Sequence, residues 1–286
     1  MTATAIGPQL VGSRLGPLEY RWSPRDAILY SLGIGARLPR DVEFLYERCG
    51  PRVEPTFALT AITPMLPLLV ERLGIDLRHL LHAGQRLTVL RQLEPVGAVS
   101  VTRTITGVSD KRTAALIECE DTVVDDQGIV VTAASQWWLL GAGGFGGPDA
   151  PRGSSAAPAT PPDRRPDGRT SVQTTTEQAA LYRLSGDLNP VHMDPAFARE
   201  AGQPRPLLHG LCTFGALGHA LGAAATDGGG GTGGRRLAEL SARFRAPVFP
   251  GDRLDVEIWT LDDATALAAV SVAGTLVLGP ARASFA

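Results

Sequence analysis

Two stretches of this chain repeat one another, and that repetition limits its possible folds more than any other feature. Ala27-Ile-Leu-Tyr30-Ser-Leu32 matches Ala179-Ala-Leu-Tyr182-Arg-Leu184, and Pro95-Val96 matches Pro247-Val248, each pair ahead of a segment with strand character. Between the copies, from Gly141 to Arg169, runs a tract of Gly, Pro, Ala and Ser that holds too little apolar surface to offset its ordering entropy. The chain therefore divides into a first unit at 1–145, a linker at 146–169 and a second unit at 170–286. A length of 286 residues suits one large domain or two of about 140, and the repetition favours two.

Each unit reads as helices followed by strands. Segments 86–93, 96–109, 112–125 and 129–140 are rich in Val, Ile, Thr and Trp, roughly alternate, and are separated by turn residues such as Asp126-Gln127-Gly128. Segments 237–245, 252–261, 265–272 and 276–284 repeat the pattern. Both sets predict antiparallel meanders. Ahead of the first set, Ser23-Pro24-Arg25-Asp26 reads as an N-cap with Pro in the first turn of a helix ending at Gly33; ahead of the second, Thr174-x-x-Glu177 reads as a capping box for a helix running to Leu184. Each unit then carries a longer segment, 57–73 and 207–225, apolar on nearly all sides and so expected as a buried helix. Pro64 and Pro67 interrupt the first of these and predict a gap beside it, wide enough for a bulky chain. The fold class is α+β, duplicated.

Charged residues make up 20% of the chain and the formal net charge is −2, so bulk electrostatics give no argument for nucleic acid. Three widely spaced cysteines, Cys49, Cys119 and Cys212, imply neither a disulfide framework nor a zinc site. No apolar run approaches the roughly 18 residues of a spanning helix, and the N-terminus lacks the pattern of a signal peptide. A cytoplasmic protein without a membrane partner is expected.

The chemistry concentrates in Asp187-Leu188-Asn189-Pro190-Val191-His192, a turn held between the helix that ends near Gly186 and a short helix expected to begin at Asp194-Pro195. A carboxylate and an imidazole that converge on one water can hold it, take its proton and return one elsewhere, without a covalent nucleophile. Counted from the paired tyrosines, Asp187 falls opposite Gly35 and His192 opposite Arg40, so the first copy lacks these groups. His209-Gly210 opens the second long apolar helix, where main-chain N–H groups and the positive dipole end can polarise a carbonyl oxygen. The plain alternative for this loop is an Asx turn beside a satisfied, half-buried histidine.

From Tyr182 to Gly215 the sequence resembles the signature of the hydratase 2 group of MaoC-like (R)-specific 2-enoyl-CoA hydratases. Stretches 27–36, Leu81-His82-Ala83-Gly84-Gln85, 141–147, Ala242-Arg243-Phe244 and 247–251 resemble the hydratase domains of the peroxisomal multifunctional enzymes of type 2. The resemblance covers nearly the whole chain. It implies a double hotdog, in which each unit wraps an antiparallel sheet around a long helix, the first unit binding acyl-CoA and only the second being catalytic. It further implies reversible hydration of a trans-2-enoyl-CoA to the (3R)-3-hydroxyacyl-CoA, in metabolism of the fatty-acid or sterol side-chain β-oxidation type. Asp187 and His192 would activate the water that adds to C3 and protonate C2, Asn189 would position that water, and the Gly210 amide would bind the thioester oxygen. Substrate contacts would fall on His82, Ala83, Lys111 and Phe244 and on the loop itself: Asp187, Leu188, Asn189, Pro190, Val191 and His192, with Gly210. Ala83 stands where the family often has Gly. Neither cofactor nor metal is implied; the partner is the acyl-CoA, and a homodimer is possible. The ending Ala-Ser-Phe-Ala286 carries no Ser-Lys-Leu peroxisomal signal.

Rival readings are a hotdog acyl-CoA thioesterase, which would aim water at the thioester carbonyl, and a non-catalytic acyl-CoA-binding subunit of a hydratase complex. Gly141-Ala-Gly143-Gly-Phe-Gly146 fits a dinucleotide fingerprint, but a Pro-rich tract follows it instead of a helix. Residues 228–234 read as a loop, Trp137-Trp138 as ordinary packing, and His219 as a core histidine.

Overall fold

The computed structural model describes residues 6–147, 160–226 and 235–286, so half of the linker and the glycine loop at 228–234 lie outside the described residues. The first unit contributes strands β1 (Arg14–Trp22), β2 (Leu80–Val89), β3 (Gly97–Asp110), β4 (Ala114–Asp125) and β5 (Gly128–Leu140). The second contributes β6 (Gly168–Gln173), β7 (Leu237–Arg243), β8 (Arg253–Asp262), β9 (Thr265–Val272) and β10 (Thr275–Phe285). All ten join one sheet in the order β1-β3-β4-β5-β2-β7-β10-β9-β8-β6. Read outward from its middle, this order is the same in both directions: second strand, fifth, fourth, third, first. The duplication seen in the sequence is thus a pseudo-two-fold arrangement of the sheet, with the halves joined where β2 pairs antiparallel to β7 from Gly84↔Arg243 to Thr88↔Glu239.

Helices α1 (Pro24–Gly33), α2 (Val42–Leu45), α3 (Leu59–Ile62) and α4 (Met65–Leu73) belong to the first unit; α5 (Gln178–Tyr182), α6 (Pro195–Glu200) and α7 (Gly210–Thr226) belong to the second. The capping box forms at Ser23, whose N–H and hydroxyl both donate to Asp26. The one expected at Thr174 does not. The Thr174 hydroxyl instead donates to the Asp252 carbonyl, tying the end of β6 to the turn before β8, and α5 starts three residues late, at Gln178. The repeated tyrosines Tyr30 and Tyr182 are buried against each other, ring centroids 6.0 Å apart.

α7 is the central helix. Its Phe214, Leu217 and Leu221 are at most 2% exposed, each burial being worth about 2 kcal/mol. Two of its glycines are contact points: a Cβ at Gly215 would lie 2.6 Å from Ile34 Cγ2, and one at Gly218 would lie 2.8 Å from Thr56 Cγ2. The first unit has no such helix. Its apolar stretch breaks at Thr63-Pro64 into α3 and α4, where Pro64 can donate no hydrogen bond; Pro67 is tolerated in the first turn of α4, where no in-helix partner is needed. The whole helical stretch Pro55–Leu73 is nonetheless long and apolar enough, by length and composition alone, to cross a membrane, which the sequence reading denied; more than half of it is buried in the molecule. α4 packs with Ile105, Ile117 and Trp137 in a core of its own, apart from the larger core around α7.

Candidate active site

The loop between α5 and α6 is shaped by its own residues. Gly186 takes φ +113°, which a side chain would resist, and turns the chain out of α5. The Asp187 carboxylate then accepts from the Asn189 N–H (3.2 Å), and the Asn189 side chain accepts from the Val191 N–H (3.1 Å), so two Asx turns fold the loop tightly. Asp194 accepts from the amides of Ala196 and Phe197 and caps α6. The expected helix start at Asp194-Pro195 is met.

Leu207 locks this loop from the far side. Its N–H donates to the Val191 carbonyl (3.1 Å) and its carbonyl accepts from His192 Nδ1 (3.0 Å). A carbonyl oxygen can only accept, so Nδ1 carries the proton and Nε2 of the neutral ring keeps its lone pair. That Nε2 faces the Asp187 carboxylate at 3.9 Å, too far for a direct hydrogen bond and suited to a shared water. Burial pushes the His192 pKa below the usual imidazole value, although the Asp187 charge works the other way, and so leaves the ring a base at neutral pH.

His209 carries His192. The two rings stack with centroids 3.6 Å apart and planes 25° apart, and His209 Nε2 donates to the Asp187 carbonyl (3.2 Å). Burial, then the neighbouring His192, hold His209 well below the imidazole range. Ligand atoms of Asp187, His192 and His209 all lie within 4.8 Å of one another. Stacked rings send their in-plane lone pairs side by side instead of to one point, which suits a tetrahedral ion poorly.

Gly210 begins α7, whose first-turn N–H groups have no partner within the helix. One cavity of about 830 Å³ is lined by Asp187, Asn189, Val191, His192 and Gly210 from the second unit and by His82, Ala83 and Lys111 from the first, with Phe244 at the junction. Leu188, 61% exposed, and Pro190 do not line it, because the Asx turns direct them outward. Leu59, Ile62, Thr63 and Leu66, around the Pro64 break, form another wall.

Ala83 sits in a register shift of β2 against β5, between His82 and Gly84, and its carbonyl accepts from the Phe244 N–H (3.0 Å). His82 stacks on Trp137 at 4.1 Å; burial, with the Arg103 charge, depresses its pKa to about 3, so it is neutral. The glycine motif at 141–146 has a structural use. Gly144 and Gly146 donate to the Asp110 carboxylate (2.9 and 2.7 Å), and those backbone hydrogen bonds, that of Gly144 foremost, hold Asp110 below the carboxylate range and brace the turn that bears Lys111. Sequence reasoning missed His209 as a site member and missed Arg103, a cavity-lining residue whose only signal was a charge at an inward position of β3, between Val101 and Ile105.

Comparison with known proteins agrees with this geometry. Residues 20–140 match the MFE-2 hydratase 2 N-terminal domain and residues 157–278 match the MaoC like domain. Enoyl-CoA hydratase ChsH3 of Mycobacterium tuberculosis is 39% identical over 87% of each chain, and 3-hydroxyacyl-thioester dehydratase Y of the same organism is 36% identical over 95% of this chain and 93% of its own. Among solved structures, a MaoC-like dehydratase from Phytophthora capsici superposes with a TM-score of 0.82, 25% identity, and coverage of 97% of this chain and 96% of its own. The sheet is that of the double-hotdog proteins. With both halves matched by these models and relatives over most of its length, the chain belongs to the MaoC-like hydratase family and is an enzyme of the enoyl-CoA hydratase 2 and 3-hydroxyacyl-thioester dehydratase kind.

Proposed function

We propose that the protein catalyses (R)-specific, reversible hydration of a trans-2-enoyl-CoA to the (3R)-3-hydroxyacyl-CoA, through Asp187 and His192. The observation that carries this is the opposition of the Asp187 carboxylate and the unprotonated His192 Nε2 at 3.9 Å on the wall of the shared cavity. A water between them gives one hydrogen to each acceptor, with Asn189 beside it. As its oxygen bonds to C3, the C2–C3 double bond shifts its electrons onto the thioester oxygen, where the Gly210 amide stabilises the enolate at the positive end of α7. The proton taken from the water by the Asp187–His192 pair is delivered to C2. One water is added, and both side chains end in their starting states.

Lys111 and the neutral His82, with Ala83 and Phe244, form the side of the cavity that would hold the CoA arm, a cation near its phosphates being favourable. The three cysteines are free, as a reducing compartment such as the cytoplasm would keep them. A homodimer is compatible with this reading. The test is incubation of the purified protein with a trans-2-enoyl-CoA, following the conjugated absorbance and the product's configuration. Loss of absorbance with the (3R) alcohol as product supports hydration; release of free thiol supports a thioesterase; neither supports a binding subunit.

A further inference from the structure

Arg103 is the most deeply buried charge in the molecule that also lines the cavity: its side chain is 2% exposed and that of its partner Asp121 is fully buried. Asp121 takes two of its donors, Nε at 2.7 Å and Nη2 at 2.9 Å. The third arm, Nη1, is buried with no acceptor among the described residues, as are Nε2 of His82 and the hydroxyl of Thr213, which line the same cavity. A cationic N–H without an acceptor is among the costliest groups to bury, and a purely hydrocarbon chain passing it would leave it unsatisfied.

Arg103 is set apart from Lys111, the cation that would meet the CoA phosphates, while its charge reaches the ring of His82. Lys111 lies at the tip of the β3–β4 hairpin, while Arg103 is eight residues back along β3, roughly 26 Å at the usual strand rise. Its neighbours on the same face of β3, Val101 and Ile105, belong one to each of the two apolar cores. Asp121 already balances its charge. A carboxylate arriving there would bring an uncompensated negative charge into a dry wall, whereas a neutral oxygen would satisfy Nη1 without that cost.

We propose that Arg103 and Asp121 form an acyl-chain subsite that takes a neutral oxygen function, a ketone or hydroxyl carried on the chain away from the thioester. This rests on the hydratase reading above and narrows its substrate class: oxygen-bearing enoyl chains in preference to plain alkyl chains of equal length.

The experiment compares kcat/KM for trans-2-enoyl-CoAs of stepped chain length, each as the plain alkyl form and as forms ending in a methyl ketone, a hydroxyl or a carboxylate. The ketone or hydroxyl form is preferred roughly tenfold or more over alkyl at one chain length, the size of a hydrogen bond to a charged donor, and the carboxylate is not. The double variant Arg103→Met/Asp121→Leu removes both charges together, and with it the ratio of oxygenated to alkyl turnover falls to about one. Arg103→Lys, which keeps the charge but loses the fork, lowers the same ratio. Absence of any preference in the wild type, or its survival in the variants, overturns the subsite. Should the double variant not fold, the wild-type series and Arg103→Lys decide. If no enoyl-CoA is hydrated at all, the hydratase reading fails instead. The subsite is then judged by whether saturated oxygenated acyl-CoAs raise the wild-type melting temperature more than alkyl ones do; equal shifts overturn it.

Discussion

The imidazole of His209 lies flat beneath that of His192, centroids 3.6 Å apart, while its Nε2–H grips the main-chain carbonyl of Asp187. One buried ring thus fixes both Asp187 and His192: the orientation of the imidazole by stacking and the position of the carboxylate through its backbone. His209 is fully buried and held neutral, and it acts through its neighbours as a positioning residue.

Removing that support should damage chemistry more than binding. His209→Ala is expected to lower kcat about a hundredfold, the cost of a misplacement near 1 Å, with KM changed far less. His209→Gln, which can still donate to the Asp187 carbonyl, should recover part of the loss. Steady-state kinetics of the two variants check this; equal losses in both would assign the role to packing alone.

The His192 pKa is held below 6.5, mainly by burial, and under the proposed mechanism this should set the acid limb of activity. Hydration needs the unprotonated ring, so kcat/KM should stay level through pH 6.5 and fall only on the acid side of it. The pH profile of kcat/KM measures the limb directly. A limb centred above 6.5 would mean that His192 is charged in the resting site.

His219, expected as a core histidine, is buried as expected and is also the hub of an ionic cluster. Its Nδ1 meets Glu54 at 2.6 Å and its Nε2 meets Asp41 at 3.4 Å, which joins the irregular segment after α1 to the central helix. Burial opposes its charged form, but the Glu54 hydrogen bond and the two carboxylate charges prevail and raise its pKa above 6.5. Because the folded value exceeds the unfolded one, the stabilisation is complete below the unfolded value and is lost as pH rises through the folded value. Urea midpoints of wild type and His219→Gln should therefore differ most on the acid side of 6.5 and converge as pH rises through the folded value. At neutral pH, Glu54→Ala should cost about 3 kcal/mol by leaving a buried charge short of its partner.

Lys111 lines the cavity from a turn braced by the Asp110 carboxylate and the amides of Gly144 and Gly146. Lys111→Ala should raise KM for acyl-CoA roughly two- to fivefold and leave kcat nearly unchanged, with the difference shrinking at high salt. Asp110→Ala should do the same at one remove by releasing the glycine loop. KM at two ionic strengths checks both.

The hairpins and the duplication were legible because alternation and turn residues are local: the segment expected at 265–272 forms at those residues, and that expected at 129–140 starts one residue early. β1 and β6 were not. Gly16-Pro17 interrupts the alternation of β1, and β6 opens inside the linker composition. Thr174 had the spacing of a capping box, but its hydroxyl found Asp252, 78 residues away, a competition no local pattern reveals. The same division holds for the site. Asp187, Asn189 and His192 lie within six residues and fold on one another through Asx turns, so their convergence was readable. The stacking of His209 depends on how the chain returns from α6, and the Arg103–Asp121 pair depends on the register of β3 against β4.

If Asp187 and His192 jointly hold the water that adds to the double bond, loss of either group should nearly stop hydration. The deciding measurement is the rate at which Asp187→Asn and His192→Ala consume a trans-2-enoyl-CoA, with circular dichroism to verify the fold. Each should lose about a hundred- to ten-thousandfold in kcat. Turnover at the wild-type rate by either folded variant would contradict the account.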